Sequence, residues 1–278
     1  MEQVARLTLD VGGVVIAVDM PARWLALCES RYVAFLSNET PAWHVALNYE
    51  AASQGEHTLY VEHAGPLTRF GHDAYGGWFD LAKQIAGVTV TSDAYVLLAV
   101  ERMLVYICLQ ALPQRHDGLL LHASGVVRRG QGHVFVGPSG AGKTTIARLA
   151  AGYGRVLCDE NVIVRVGDDG PQVLSTPFWG SGTPPEMVVS ERWCVPLHAL
   201  YALEQTPTFS LTRLSPGEAV LALMDSNRIA AEQPARAAVW LASTEHLLAQ
   251  VPMYRLGFRP TAELWTFLDQ DEPTREGA

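Results

Sequence analysis

Hydrophobic and polar residues alternate in short segments over the first ninety residues, which is typical of half-buried β-strands. The pattern predicts strands at Leu7–Val11, Gly13–Val18, Trp43–Tyr49, His57–Val61 and Val88–Val90. A short helix is predicted between Ala22 and Leu36, and Gly76-Gly77-Trp78 is predicted to lie in a loop. We therefore expect residues 1–91 to form a β-rich N-terminal region, and we find no catalytic constellation in it.

The pattern changes at Ser92 and Asp93, either of which can cap a long helix that Pro113 would end near Leu112. Two apolar strands follow, Gly118–Val127 and Gly132–Val136. Because only a four-residue turn separates these strands, they must be antiparallel.

Further elements are predicted beyond residue 137. They are a helix over Thr145–Ala151, a strand at Arg155–Cys158, a hairpin over 161–175, helices over Ser215–Met224 and Ala235–Leu248, a strand at Met253–Phe258 and a last helix that holds Trp265. The chain is therefore predicted to be an α/β protein, with a second domain over residues 92–278.

The composition narrows the class of protein. The 278 residues are 49% hydrophobic and 18% charged, as in ordinary soluble proteins, and the net charge is −9. Without a cluster of lysines and arginines, we expect neither nucleic acid nor a membrane surface as a partner. The apolar stretch from Ala94 to Leu112 contains Glu101, Arg102 and Gln110, so we expect a buried helix there. Four scattered cysteines and the lack of a secretion signal predict a cytoplasmic protein.

Residues 137–145 read Gly-Pro-Ser-Gly-Ala-Gly-Lys-Thr-Thr, which matches the P-loop pattern G-x-x-x-x-G-K-[ST]. The loop follows a predicted strand and opens a predicted helix, so its N–H groups and the helix end would favour a phosphate. Lys143 is expected to reach the β- and γ-phosphates of ATP, and Thr144 to hold Mg²⁺. The predicted nucleotide-binding residues are Gly137, Ser139, Gly140, Ala141, Gly142, Lys143, Thr144 and Thr145.

Acidic residues follow the next predicted strand. Asp159 ends the strand Arg155–Cys158, and since adjacent parallel strands end at one sheet edge, its carboxylate is expected near the triphosphate. It would bind the metal or take the proton of an acceptor hydroxyl. Glu160 is a further metal candidate, although a neighbour on an extended chain points the other way. The alternative for Asp159 is a turn or a helix cap.

Two other features adjoin this predicted site. His122 is a polar residue inside an apolar strand next to the P-loop strand, where it would contact the γ-phosphate, orient Asp159 or serve as a core histidine. The segment Ser175–Gly182 is aromatic and flanked by glycine. It is expected to be an exposed loop that either closes over substrate or packs as a hydrophobic loop.

Three motifs in this order resemble the catalytic core of the HPr kinase/phosphorylase family, namely Leu121-His122-Ala123-Ser124-Gly125-Val126, the P-loop and Leu157-Cys158-Asp159-Glu160. The resemblance covers roughly residues 95–190. It implies the P-loop core with a mixed sheet that this family shares with phosphoenolpyruvate carboxykinases. It also implies Mg²⁺ at Thr144, an acceptor-activating base at Asp159 and a position close to phosphate for His122.

The chain departs from that family in two motif positions, where Ala123 replaces a glycine and Glu160 replaces a second aspartate. It also lacks the arginine- and glycine-rich C-terminal loop of the full-length enzymes. It looks more like the short HPr-kinase-like proteins, which include the kinases of lasso-peptide gene clusters.

The sequence therefore predicts an ATP- and Mg²⁺-dependent kinase that phosphorylates a serine-type hydroxyl of a peptide or protein. The catalytic residues would be Asp159, His122 and Lys143, with substrate selection by residues 1–91 and the Trp179 loop. A small-molecule kinase, a carboxykinase-like enzyme and a non-enzymatic ATP-binding regulator are the alternatives. The acceptor, the choice between ATP and GTP, any phosphorolysis and a homo-oligomeric state are left open by the sequence.

Overall fold

The computed structural model describes residues 3–50, 60–72, 74–115, 118–179, 191–226 and 234–271. The chain divides into two compact units, Met1–Leu112 and Pro113–Ala278. The boundary lies about twenty residues after the predicted one at 91/92, because the long helix that follows residue 92 packs with the first unit. The predicted α/β class is confirmed, since each unit contains a mixed sheet together with helices.

The first unit contains seven strands in the sheet order β1-β2-β3-β7-β6-β5-β4, in which β3 is parallel to β2 and β7 and the remaining neighbours are antiparallel. The strands are β1 (Val4–Val11), β2 (Val14–Pro21), β3 (Trp43–Tyr49), β4 (Tyr60–Ala64), β5 (Leu67–His72), β6 (Tyr75–Asp80) and β7 (Ile85–Val90). The helices are α1 (Leu25–Tyr32), between 3₁₀ turns at Ala22–Trp24 and Val33–Phe35, and α2 (Val96–Arg115), after a 3₁₀ turn at Asp93–Tyr95.

The prediction of a loop at Gly76-Gly77-Trp78 was wrong, because these residues form the middle of β6. A side chain at Gly77 would lie 2.7 Å from the carbonyl oxygen of Gly87 and 2.8 Å from the ring of Phe70. The glycine therefore serves close packing within a sheet, a role that sequence alone cannot separate from a turn.

The predicted cap at Ser92 is present, but it precedes a 3₁₀ turn over Asp93–Tyr95 that leads into α2: the Ser92 hydroxyl accepts a hydrogen bond from the Ala94 N–H. The helix continues for two residues past Pro113, beyond the predicted end. The Tyr106 ring packs against Phe70 at 4.8 Å between centroids. Among the described residues one stretch, Asp93–Gln114, has the length and hydropathy of a membrane span, and 67% of its most apolar window is buried inside the protein.

The second unit contains a nine-stranded sheet with the path β11-β9-β10-β14-β13-β12-β8, to which β16 and β15 are attached through β14. The strands are β8 (Gly118–Leu121), β9 (Ala123–Arg128), β10 (Gln131–Val136), β11 (Arg155–Cys158), β12 (Val162–Gly167), β13 (Gly170–Leu174), β14 (Cys194–Gln205), β15 (Ser210–Arg213) and β16 (Met253–Phe258). The helices are α3 (Lys143–Leu149), α4 (Pro216–Ser226), α5 (Pro234–Leu248) and α6 (Glu263–Asp271).

One strand prediction needs correction, and a long strand was missed. The single strand predicted over Gly118–Val127 is broken at His122, so that β8 pairs with β12 whereas β9 pairs with β10 and β11. The twelve-residue strand β14 was not predicted, although it lies next to β10 in the sheet. The other predicted elements of this unit are present, and β9 and β10 are antiparallel as expected.

Candidate functional site

Four strands of the second unit present their ends at one edge of the sheet. β9 lies between β10 and β11 and is antiparallel to both, so that β10 and β11 end where β9 begins. The expectation that the P-loop strand and the Asp159 strand are adjacent was wrong, because β9 separates them. The two strands are nevertheless parallel, and β14 and β16 run in the same direction as β10. This edge therefore receives His122, the P-loop, Asp159 and the end of β14.

The P-loop begins with a tight turn after β10. The Ala141 N–H donates to the Pro138 oxygen at 3.1 Å, and Gly140 has a φ of +83° at the third position of the turn. Gly142 has a φ of +110° immediately before α3, and the Ile146 N–H donates to its oxygen. The glycines let the backbone fold back on itself, and a glycine cradle of this kind fits a phosphate group.

Lys143 is the first residue of α3, and its side chain folds into the loop. Its Nζ donates to the Gly137 oxygen at 2.8 Å and to the Pro138 oxygen at 3.2 Å, and the residue is 7% exposed. Burial lowers the pKa of the Lys143 ammonium, and the charge of Glu160 acts in the opposite direction. In the part of the chain that the structure describes, the hydrogen bonds of this buried cation go to neutral carbonyl oxygens, which an anion could replace as partners. Thr144 and Thr145 follow in α3 and are half-buried.

The acidic residues behind the loop have different surroundings. Asp159 is 2% exposed, whereas the side chain of Glu160 is 40% exposed. A Glu160 carboxylate oxygen lies 3.5 Å from Nδ1 of His122, and the Glu160 backbone oxygen accepts a hydrogen bond from the Ala123 N–H. The break between β8 and β9 thus places His122 beside Glu160, rather than inside a continuous strand.

Cys158, the residue before Asp159, is not available as a nucleophile. Its thiol is buried and donates to the Phe178 carbonyl oxygen, and burial raises the pKa of the Cys158 thiol to about 12. The thiol therefore stays protonated at neutral pH.

The segment Ser175–Gly182 was predicted to be exposed, which was wrong for residues 175–179, whereas the alternative that it packs as a hydrophobic loop agrees with their burial. Ser175, Thr176, Phe178 and Trp179 are buried, and the Thr176 hydroxyl donates to the backbone oxygen of Asn161. The polar groups of the segment satisfy one another and the neighbouring backbone, which holds its rings in the core. Residues 180–182 lie outside the described residues.

Gln205, at the end of β14, was missed by the sequence analysis. Its Nε2 donates to the Gly140 oxygen at 2.8 Å, so that it contacts the P-loop directly. The only sequence signal was the apolar stretch Val195–Leu203, which indicates a strand but not its position beside β10. Phe258 at the end of β16 was inside a predicted strand, but its contact with the loop was not foreseen.

A metal ion would find few protein ligands here. No group of three or more histidine, cysteine, aspartate or glutamate residues that could hold a metal is present in the described ranges. Mg²⁺ in phosphoryl-transfer sites uses one or two carboxylates together with the phosphates and water. Asp159, Glu160 and the Thr144 hydroxyl are donors of this kind, and they lie on segments that reach the same edge of the sheet.

These features define a mixed α/β protein in which a glycine-rich loop, a buried lysine and two acidic residues meet at one edge of the sheet. The family model described as SynChlorMet cassette protein ScmC matches residues 88–271, more than half of the chain, and the chain belongs to this family. A comparison with curated proteins gives no match.

Proposed function

We propose that this chain is an ATP- and Mg²⁺-dependent kinase that transfers the γ-phosphate to a serine-type hydroxyl of a peptide or protein. The observation that supports this most is the meeting of the P-loop, Asp159 and the His122–Glu160 pair at one sheet edge. We further propose that the second unit has an HPr-kinase-like P-loop core, because the antiparallel β9–β10 pair leading into the loop agrees with the motif order of that family.

In this proposal the loop and Lys143 bind the triphosphate. The Lys143 ammonium would leave the Gly137 and Pro138 oxygens, 2.8 and 3.2 Å away, for the charged β- and γ-phosphate oxygens. A phosphate oxygen carries negative charge whereas a carbonyl oxygen is neutral, so the ammonium is attracted more strongly to the phosphate, which favours this exchange. Bound Mg²⁺ would neutralise charge on the phosphates, with Thr144 and Glu160 as the residues that hold it, and with Asp159 as a further ligand if it does not serve as the base.

The acceptor oxygen attacks the γ-phosphorus, the bond between that phosphorus and the β,γ-bridging oxygen breaks, and ADP leaves with the bond's electron pair. Asp159 takes the proton of the acceptor hydroxyl. Its burial keeps bulk water away from that carboxylate. Glu160, 3.5 Å from His122, orients the ring towards the phosphate and keeps a negative charge near Lys143. Lys143 and the loop N–H groups stabilise the charge that develops on the transferred group.

The first unit is proposed to select the substrate, since the residues proposed for catalysis all lie in the second unit. We place the protein in the cytoplasm, with a peptide or protein as its partner and neither nucleic acid nor a membrane surface. The net charge of −9 supports the exclusion of nucleic acid.

The experiment is transfer of label from γ-labelled ATP, with Mg²⁺, into a size-fractionated lysate of the source cell. Wild type is compared with Lys143→Ala and Asp159→Asn. Asp168→Asn, in the exposed turn between β12 and β13, is the matched control for loss of a carboxylate. We expect label in one polypeptide band with wild type and Asp168→Asn, and at least a hundredfold less with the other two variants.

The alternatives give different results. Label in the low-mass fraction alone would show a small-molecule kinase. ATP binding without any transfer would point to a nucleotide-binding regulator and refute Asp159 as the base. Equal loss of transfer in Asp168→Asn would show that the effect of Asp159→Asn is not specific to this edge.

A further inference from the structure

We infer that Gln205 is a positioning residue of the nucleotide site, which together with Phe258 braces the P-loop from the strands beyond it. This inference rests on the proposed function, because it concerns the same loop. The two residues are direct neighbours in the register of the parallel pair β14–β16, and each contacts a different glycine of the loop. The residues that support the loop therefore lie at the ends of two sheet strands and not in the loop itself.

The contact made by Gln205 fixes one peptide plane. Its side-chain amide donates to the Gly140 oxygen at 2.8 Å, and this partner can only accept, so the nitrogen and not the oxygen of the carboxamide faces it. The N–H of the same peptide belongs to Ala141 and points the opposite way, where it donates to the Pro138 oxygen at 3.1 Å. Both polar groups of this peptide are therefore held.

Phe258 acts on the next glycine. A side-chain carbon at Gly142 would lie 2.6 Å from Cζ of Phe258, so the ring closely approaches the backbone where the loop enters α3. Phe258 is 1% exposed and is part of the buried core, so the ring cannot easily yield. The loop is thus held by a hydrogen bond at Gly140 and by a packed ring at Gly142, two residues apart.

The physical consequence is preorganisation. Gly140 and Gly142 have positive φ angles, and glycine loses more conformational freedom on ordering than other residues. A loop that is held in shape before the nucleotide binds does not lose this freedom during binding. Gln205 should therefore strengthen ATP binding without touching the reacting atoms, and its loss should raise the KM for ATP more than it lowers kcat.

The test compares Gln205→Ala and Gln205→Glu with Glu204→Gln, the neighbouring exposed residue, whose side chain points to the other side of the strand. Two quantities are measured, the Kd of ATP with Mg²⁺ by calorimetry and the exchange rate of the Ala141 amide hydrogen in the nucleotide-free protein by NMR. The second is independent of nucleotide binding, and a general loss of stability would accelerate exchange at core amides as well.

For Gln205→Ala we expect the Kd of ATP to rise roughly two- to tenfold, the range of one hydrogen bond, and Ala141 exchange to accelerate while core amides keep their rates. Gln205→Glu should weaken ATP binding further, since its carboxylate would face the Gly140 oxygen and the phosphates. Glu204→Gln should behave as wild type.

Two results would overturn the inference, namely unchanged Ala141 exchange in Gln205→Ala and an equal effect of Glu204→Gln. Failure of wild type to bind ATP would instead overturn the proposed function. The two failures are distinguished because Ala141 exchange is measured without nucleotide.

Discussion

Replacement of Gly142 by alanine tests the geometry of the P-loop most directly. Gly142 has a φ of +110°, and an alanine Cβ would lie 2.6 Å from Cζ of Phe258. Holding a non-glycine residue in such a conformation costs about 1–3 kcal/mol. Overpacking against a buried ring adds about 1–3 kcal/mol. We therefore expect Gly142→Ala to lower the free energy of unfolding by roughly 2–6 kcal/mol.

Gly140→Ala is the matched control, because it lies in the same loop with a φ of +83° and a side chain there meets nothing within 4 Å. Its free energy of unfolding should fall only by the cost of the strained backbone, about 1–3 kcal/mol. The difference between the two variants then measures the contact with Phe258. Adding Phe258→Leu to Gly142→Ala should recover most of that difference, which a double-mutant cycle detects as coupling.

The assay is urea denaturation of wild type, the three single variants Gly142→Ala, Gly140→Ala and Phe258→Leu, and the double variant, monitored by tryptophan fluorescence with Trp265 as a reporter in the second unit. Equal loss of stability in Gly142→Ala and Gly140→Ala would refute the claim that Phe258 packs against Gly142. Additive effects of Gly142→Ala and Phe258→Leu would refute it as well, since two residues in contact should not behave independently.

Three further outcomes are expected. Lys143→Met should abolish ATP binding yet keep or raise the melting temperature of the nucleotide-free protein, because it removes a buried charge whose pKa is lowered by that burial. Asp269→Asn should lower the free energy of unfolding by about 1–3 kcal/mol, since it leaves the half-buried Arg128 guanidinium without its carboxylate, and denaturation in urea measures this. A hydrogen bond from Arg6 lowers the pKa of Asp19 below its usual 3.8. The ion pair therefore stabilises the fold above pH 3.8, and this stabilisation is lost as the pH falls through the lowered pKa of Asp19. Arg6→Gln should therefore be less stable than wild type at pH 7 and approach it below pH 4 in melting experiments at both pH values.

Local rules explain the elements that the sequence predicted well. Strand β16 and the β12–β13 hairpin were predicted from apolar runs bounded by turns. The P-loop was predicted from the spacing of its glycines, lysine and threonine, a pattern that few other loops need. The antiparallel β9–β10 pair followed from a predicted turn of four residues, which is too short for a crossover; in the structure two residues connect the strands. These elements depend on interactions between residues that are close in sequence, so the sequence alone is enough to predict them.

The sequence by itself determined the α/β class, the loop at residues 137–145 and the acidic residues that follow it. Only the tertiary structure decided that β9 lies between the P-loop strand and the Asp159 strand, and that the chain breaks at His122. It also decided that Gln205, sixty-five residues after Gly140, reaches the loop. The physical reason is that strand order is set by which apolar faces bury together, and a pairing between distant segments leaves no periodic signal in either one.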